Sequence, residues 1–267
     1  MQSSIIPENK LKRQLRDGKS VIGTMLVEVR QPSIMQVLAN AGLDFVIIDN
    51  EHGAFNIETI ADLCRSARKL GVTPVVRVPE WSYAHVTQPL DAGAQAIMAP
   101  RITEPLQVHE ILQIIKYPPV GKRGSVVARG HTDLKSGSIV DVMRDANEET
   151  MLVVQIETRQ ALERIDEILS IPGVDVAFVG PTDLSVALGI AGKMTDPVLV
   201  AAITRVLESC HKHNVVPAIQ MNDLTLAAHW AAKGMKLVSF NSEIGILTQG
   251  ATAAVATING SMGVRPS

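Results

Sequence analysis

Eight short runs of apolar residues, rich in valine and isoleucine, recur along the 267-residue chain and constrain its fold more than any other feature. Between them, apolar residues repeat at the three- and four-residue spacing of a helix, as they do within 57–69 and again at Ala161, Ile165 and Ile168. Strands that alternate with helices through short connections form right-handed βαβ units around a parallel sheet. The predicted strands are 21–29, 45–51, 73–79, 94–101, 151–158, 174–181, 215–221 and 235–241.

Eight such units fill the chain without a linker or a shift in composition. This pattern predicts an α/β protein with one domain, residues 1–267, folded as a single (β/α)₈ barrel. An open, doubly wound sheet is the alternative. Gly42, Gly71 and Gly93 each precede a strand and are predicted to end helices. Segment 119–150 is long, polar and glycine-rich before it turns helical, which is typical of a functional loop or an interface.

Charge and composition exclude several classes of function. The formal net charge is −2 with no basic block, which argues against nucleic acid as the main partner. No apolar run approaches the roughly 18 residues needed to span a bilayer, and 1–7 lacks the pattern of a signal peptide. Cys64 and Cys210 fit no metal or redox spacing and suit a reducing compartment. We therefore expect a cytoplasmic protein that acts on a small molecule.

Polar residues gather where the predicted strands end, which is where a barrel holds its reactive groups. No lysine falls at these positions, which disfavours a Schiff base, and no dinucleotide or P-loop motif is present. Charges gathered at one rim indicate a single pocket. The residues are Glu28, Arg30, Asp49, Glu51, His52, Arg77, Arg101, Gln155, Glu157, Asp183, Gln220, Asn241 and Glu243.

Glu157 and Asp183 come from neighbouring strand ends and are candidate ligands of one divalent cation, Mg²⁺ or Mn²⁺. The alternative is that each caps a helix or a turn. His52 is a candidate general base, and Asp49, three residues earlier, is expected to orient its imidazole. Arg77 lies within a valine-rich strand, so its guanidinium needs an anionic partner. It either pairs with Glu51 or Glu157, or grips a carboxylate or a developing oxyanion.

Five segments in the same order resemble the HpcH/HpaI aldolases, which are metal-dependent class II pyruvate aldolases. The resemblance runs from about residue 11 to 250, and the family includes 4-hydroxy-2-oxoheptanedioate and 2-dehydro-3-deoxyglucarate aldolases. The segments are IIDNEHG (47–53), VVRVP (75–79), YPPVGKRGS (117–125), VQIET (154–158) and FVGPTDLS (178–185).

The resemblance implies a role for each candidate residue. Glu157 and Asp183 would bind the metal, with Co²⁺ as a further possible ion. His52, paired with Asp49, would act as the base through a water molecule. Arg77 would contact the keto oxygen of pyruvate. Gln155 would lie beside it, and backbone amides around Thr182 and Asp183 would hold the carboxylate.

The resemblance also implies reversible retro-aldol cleavage of a 4-hydroxy-2-keto acid to pyruvate, or a related 2-keto acid, and an aldehyde. The last helix would swap between subunits to give a trimer or a trimer-based hexamer. Segments 79–85 and 219–223 are where we expect aldehyde specificity to be set. The alternatives are an acyl-CoA lyase of the malyl or citryl type, and a non-catalytic barrel that kept its rim residues.

Overall fold

The valine- and isoleucine-rich runs form eight parallel strands that close into a barrel in chain order, β1 to β8. This computed structural model describes residues 4–262 of the predicted domain 1–267. Met1 to Ser3, which belong to the segment 1–7 discussed above, lie outside the described residues. The predicted (β/α)₈ barrel is confirmed. The strands are β1 Val21–Leu26, β2 Phe45–Asp49, β3 Thr73–Arg77, β4 Ala96–Ala99, β5 Met151–Ile156, β6 Val176–Val179, β7 Val216–Met221 and β8 Leu237–Ser242.

Helices alternate with these strands and cover the outside of the barrel. The predicted helix 57–69 is confirmed at both ends, and Gly42, Gly71 and Gly93 follow helices with positive φ as expected. The helices are α1 Lys10–Arg16, α2 Ile34–Asn40, α3 Ile57–Lys69, α4 Tyr83–Ala92, α5 Pro105–Ile115, α6 Ile139–Glu149, α7 Arg159–Glu163, α8 Ile165–Leu169, α9 Pro181–Ala187, α10 Pro197–His213, α11 Leu224–Ala232 and α12 Glu243–Met262.

The apolar periodicity after β5 predicts one helix, but the chain forms two. Arg164 leaves helical geometry, at φ −102° and ψ 20°, and separates α7 from α8. Ala161, Ile165 and Ile168 are nevertheless all buried against the sheet. The periodicity therefore identified the buried face correctly, and it was wrong about the continuity of the helix.

The strands are buried on both faces, which gives the barrel two cores. Phe45, Ile47 and Val75 pack inside the barrel, while Val46 and Ile48 pack against the helices. Alternate strand residues share a face, so the inward-facing series continues beyond these apolar layers to the strand ends. This alternation carries the side chains of residues 49, 77 and 155 to the carboxyl-terminal mouth.

Segment 117–138 crosses the surface without regular structure apart from a 3₁₀ turn at Gly130–Thr132. Its side chains anchor it to the rest of the molecule. Arg123 pairs with Asp91 at the end of α4, at 2.5 Å between Nη2 and Oδ1, and lies 4.6 Å above the ring of Tyr117. His131 is buried as well. The long loop expected here is therefore a fixed layer over one side of the barrel.

Helix α12 packs little of its surface against the barrel. Of its 20 residues, Glu243 alone is buried, and the exposed ones include Leu247, Val255 and Ile258. The carboxylate of Glu243 accepts hydrogen bonds from the backbone N–H groups of 27–29, which follow β1. Within the described residues, no helix is both long enough and apolar enough to cross a membrane.

Candidate active site

A cavity of about 280 Å³ opens at the carboxyl ends of the strands. Its wall contains most of the residues that the sequence singles out, together with apolar side chains from the barrel interior. Those predicted residues are Asp49, His52, Arg77, Gln155, Thr182, Asp183, Gln220 and Asn241. The structure therefore brings the candidate substrate and catalytic residues to one pocket.

Arg77 extends from the last position of β3 and is held on two sides. Its Nε donates to Oδ1 of Asp49 at 2.9 Å, and its Nη2 donates to Oδ2 at 2.7 Å. Its Nη1 lies 3.2 Å from Oε2 of Glu51. These acids raise the pKa of the guanidinium against the opposing effect of burial, so Arg77 stays charged. The predicted pairing with Glu51 is confirmed, and the main partner is Asp49.

The expected contact between Asp49 and the imidazole of His52 is wrong. Both carboxylate oxygens of Asp49 bind Arg77, because β2 and β3 pair with Asp49 opposite Arg77. Asp49 does fix the backbone beside the imidazole, since Oδ1 accepts from the N–H groups of Glu51 and His52 at 3.0 and 3.3 Å. Strand pairing, rather than spacing along the chain, was the signal that could have identified this partner.

The carboxylate that contacts the imidazole of His52 belongs to Glu51 rather than to Asp49. Its Oε2 lies 3.8 Å from Nε2 of His52, and its Oε1 lies 3.3 Å from Nε of Arg101. The carboxylate is only 6% exposed, whereas the imidazole is 68% exposed. Glu51 is therefore a buried acid that contacts His52, Arg77 and Arg101 together.

Glu157 lies at the end of β5, behind the pocket wall. Its Oε1 accepts from the backbone N–H of Arg101 at 2.7 Å, and its Oε2 accepts from Nε2 of Gln155 at 2.5 Å. Burial raises the pKa of Glu157 to about 7, with further increases from Asp183 and Glu51, against the N–H of Arg101 and the charge of Arg77. Among the described residues no cationic side chain lies within ion-pair distance of this carboxylate.

Gly180 permits Glu157 to lie where it does. A Cβ atom at this position would come within 2.6 Å of Oε2 of Glu157 and 2.9 Å of Nε2 of Gln155. The chain turns directly into α9 at Pro181, which places Thr182 and Asp183 in its first turn. Backbone N–H groups in a first turn lack a helical partner, and Thr182 and Asp183 both line the pocket.

Several predicted rim residues do not line the cavity. Glu28 and Arg30 are exposed beyond β1, and Glu243 caps the backbone of 27–29. Arg101 is exposed outside the cavity lining and contacts Glu51, and Ser242 and Asn222 line the wall although the sequence did not single them out. The lining of the cavity thus combines two carboxylates, Asp49 and Asp183, with the guanidinium of Arg77. Glu51 and Glu157 lie outside this lining and contact Arg77 and Gln155, which belong to it.

Comparison with known proteins identifies the group to which this barrel belongs. The model of the family described as HpcH/HpaI aldolase/citrate lyase matches residues 24–247. A 4-hydroxy-2-oxo-heptane-1,7-dioate aldolase of Escherichia coli is 32% identical over 252 residues, which cover 93% of this chain and 94% of that protein.

Solved structures agree with the family match. An HpcH/HpaI aldolase from Desulfitobacterium hafniense superimposes with a TM-score of 0.91 at 34% identity, over 96% of this chain and 99% of its own. The citrate synthase SbnG superimposes with a TM-score of 0.84 at 29% identity, over 95% and 98% of the two chains. Sequence and fold agree, and the chain belongs to the HpcH/HpaI aldolase/citrate lyase family of carbon–carbon lyases.

Proposed function

We propose that this chain is a divalent-metal-dependent aldolase that cleaves a 4-hydroxy-2-keto acid to pyruvate and an aldehyde, and catalyses the reverse addition. The observation that carries the proposal is the Arg77 guanidinium, fixed by Asp49 and Glu51 at the wall of the pocket. A donor held in this way suits an oxygen that gains negative charge during a reaction. The relatives named as aldolases support this reaction class.

The side chains divide the chemistry between them. Cleavage of the bond between C3 and C4 leaves negative charge on the keto oxygen, which Arg77 would stabilise. His52 would take the proton of the C4 hydroxyl, directly or through one water, so that the aldehyde can leave. Gln155 would orient the keto acid beside Glu157. First-turn N–H groups at Thr182 and Asp183 would hold its carboxylate.

The acids fit a hard divalent cation. Glu157 is buried without a cationic partner among the described residues, and Asp183 lies close enough to raise its pKa. Gln155 adds a buried Oε1 that has no hydrogen-bond partner in the described structure. A bound Mg²⁺, Mn²⁺ or Co²⁺ would supply Lewis acidity at the keto oxygen. Two carboxylates would leave positions on the cation for substrate and water. Residues 4–262 contain no cluster of three or more acidic, histidine or cysteine side chains that could hold a metal.

The test is pyruvate release from a panel of 4-hydroxy-2-keto acids. We expect chelation to abolish cleavage and Mg²⁺, Mn²⁺ or Co²⁺ to restore it. Borohydride added with pyruvate should leave the activity intact, because no lysine among the described residues lines the pocket. Cleavage that survives chelation, or a trapped pyruvyl-lysine adduct, would contradict the proposal.

An acyl-CoA lyase is the weaker alternative, favoured only by the citrate enzymes of related fold. Such a substrate needs room and positive charge for its CoA portion, and the cavity of about 280 Å³ has the size of a small keto acid with its aldehyde. Assay with malyl-CoA and citryl-CoA separates the two functions, and a non-catalytic barrel would also fail to decarboxylate oxaloacetate.

We further propose that the protein is a homo-oligomer, a trimer or hexamer, in which the exposed apolar side chains of α12 pack on a neighbouring subunit. The exposed residues Leu247, Val255 and Ile258 support this assignment. We also propose that the whole chain, 1–267, is a single domain that functions in the cytoplasm. The unpaired, buried Cys64 and Cys210 are consistent with that compartment.

A further inference from the structure

Gln220, at the wall of the cavity, has a hydrogen-bond acceptor that the proposed reaction does not use. Its Nε2 donates to the backbone oxygen of Asn241 at 3.0 Å and to Oδ1 of Asn222 at 3.3 Å. These two acceptors fix the orientation of the amide. Its Oε1 is buried and has no hydrogen-bond partner within residues 4–262. A buried acceptor without a partner costs free energy, which a donor group on a ligand would recover.

Ser242 reaches the same wall because β8 bulges. Gly23 and Met25 of β1 pair with Ser239 and Ser242, so β8 has one more residue than β1 over this stretch. Asn241 adopts a φ of 54° within the bulge. Successive residues of a regular strand point to opposite faces, whereas here Asn241 and Ser242 both line the cavity.

The hydroxyl of Ser242 supplies a donor to this wall. Its Oγ accepts from the backbone N–H of Gly245 at 3.2 Å, and its O–H has no acceptor among the described residues. The amide of Gln220 binds the carbonyl of Asn241, which directly precedes Ser242. This part of the wall therefore offers one free acceptor and one free donor, and both are uncharged.

The proposed function directs C3 of the keto acid to this side of the cavity. The strands follow one another around the barrel in chain order, so β7 and β8 lie across the mouth from β3. In the proposed reaction Arg77 on β3 binds the keto oxygen, and the first turn of α9, after β6, binds the carboxylate. The keto carbon is planar with three substituents, so C3 faces the remaining side, formed by β7, β8 and β1. The side chains that line this side are uncharged, and they are Met25, Val27, Gln220, Asn222, Asn241 and Ser242.

A second cavity beside Gln220 provides room for a substituent on C3. It also measures about 280 Å³, and it shares Gln220 and Asn222 with the first cavity, together with Pro181 and Thr182. Gln220 therefore lies at the boundary between two open spaces. A keto acid larger than pyruvate can be accommodated there.

An uncharged acceptor next to an uncharged donor suits a hydroxyl group. The methyl group of pyruvate would leave Oε1 of Gln220 without a partner. An ionised carboxylate accepts hydrogen bonds but cannot donate one, and no cationic side chain lines this side of the cavity. A hydroxyl group donates one hydrogen bond and accepts others.

We propose that Gln220 and Ser242 are specificity-determining residues that bind a hydroxyl group on C3 of the keto acid. The substrate is then a 3,4-dihydroxy-2-keto acid, which is cleaved to a 3-hydroxy-2-keto acid and an aldehyde. The bond between C3 and C4 breaks, its electron pair passes to C3 as an enolate, the C4 hydroxyl loses a proton, and C3 takes up a proton from solvent. This inference rests on the proposed function and changes its keto-acid product.

The experiment measures exchange of the C3 protons with D₂O by NMR, with Mg²⁺ present and no aldehyde added. The keto acids are pyruvate, 2-oxobutanoate and 3-hydroxypyruvate. The last two are matched in size and differ by a methyl group in place of the hydroxyl. The readout is the kcat/KM for 3-hydroxypyruvate divided by the kcat/KM for 2-oxobutanoate.

Gln220→Met and Ser242→Ala are the test variants, because each removes one hydrogen-bonding group with little change in volume. Gln160→Met is the matched control, since it removes an exposed amide near the start of α7, outside the cavity lining. We expect each test variant to lose about tenfold of the wild-type ratio, the scale of one hydrogen bond to a buried partner, and the control to keep it. An unchanged ratio in either test variant would overturn the proposal.

The same measurement separates this inference from the proposed function. A wild type that exchanges the protons of pyruvate but not those of 3-hydroxypyruvate would overturn the inference alone. A folded test variant that loses exchange with all three keto acids would show that its side chain supports the keto-acid site as a whole, and would overturn its assignment to specificity. Absence of exchange with all three in the wild type would contradict the proposed function itself.

Discussion

At the scale of single residues, the carboxylates near the mouth of the barrel each contact several other groups. Asp49 uses both oxygens on Arg77 and still accepts two backbone N–H groups. Glu51 lies within 4 Å of His52, Arg77 and Arg101, whereas no cationic side chain among the described residues lies within ion-pair distance of Glu157. Arg77 is therefore fixed before substrate arrives, and Glu157 is the acid that we propose as a ligand of the metal.

Replacing Arg77 by lysine tests whether catalysis requires the planar guanidinium that Asp49 holds in place. Lysine keeps the charge but cannot bind both oxygens of Asp49 and still aim a donor at the substrate. We expect Arg77→Lys to fold, to bind metal and to lose about 10²–10³ in the rate of cleavage, the cost of one preorganised oxyanion donor. Oxaloacetate decarboxylation should fall in parallel, since it develops charge on the same oxygen. If decarboxylation survives, the role assigned to Arg77 is wrong.

Removal of the imidazole of His52 should slow aldol cleavage more than oxaloacetate decarboxylation. We expect His52→Ala to lose about 10²-fold or more in cleavage, the usual contribution of a general base. Decarboxylation should fall less, because it requires no proton from a C4 hydroxyl. The measurement is the rate of both reactions in the same preparation, with isothermal titration of Mn²⁺ as a control for metal binding. Near-normal cleavage would transfer the role of base to Glu51.

At the scale of elements, the loop that covers one side of the barrel depends on a small buried polar cluster. His131 in segment 117–138 is buried near Arg123 and Asp91. Burial, followed by the charge of Arg123, lowers the pKa of His131 to about 4, and Asp91 acts in the opposite direction. The segment is therefore built around a neutral imidazole.

The stability of the protein should fall in acid because of this imidazole. In the unfolded chain His131 takes up a proton near the ordinary histidine pKa of 6.5, while in the folded chain it resists protonation to about 4. As the pH drops from 6.5 towards 4, the unfolded state binds the extra proton, so the free energy of unfolding decreases. Denaturant unfolding across this range should show a weaker pH dependence in His131→Gln. An identical dependence in both proteins would contradict this account, and His109→Gln, at an exposed position of α5, is the control.

The sequence predicted the strands and helices more accurately than it predicted the contacts between side chains. Periodicity located every strand and the ends of α3, because burial of apolar side chains repeats with the backbone geometry. It missed the break at Arg164, where local backbone geometry interrupts a continuous apolar face. It also assigned Asp49 to His52, because the partner across the sheet depends on strand register, which spacing along one strand does not contain.

At the scale of the whole molecule, the subunit leaves one long apolar surface unused. Helix α12 runs for 20 residues, about 30 Å, with most of its length outside the barrel. An exposed apolar face of this kind is typical of a protein–protein contact. The exposed apolar face of α12 therefore supports the proposal that the protein is a homo-oligomer.

Charged residues introduced into the exposed apolar face of α12 should dissociate the proposed oligomer. We expect Leu247→Glu combined with Val255→Glu to lower the mass measured by light scattering to that of one chain, 28.7 kDa. Each carboxylate would have to be buried without a partner, which opposes association. The exposed control pair Val37→Glu and Leu106→Glu, on α2 and α5, should leave the mass unchanged. A wild type that is already monomeric would contradict the oligomer proposal.

Glu243 gives this outer helix a direct connection to the pocket. Its carboxylate begins α12 and at the same time holds the backbone of Val27 to Val29, and Val27 lines the cavity. In the proposed oligomer, a rotation of α12 against a neighbouring subunit would be transmitted through this carboxylate to the wall of the pocket. Selection that alters packing between subunits would therefore also adjust substrate preference, and dilution of the enzyme below the dissociation constant of the assembly would change turnover without any substitution in the pocket.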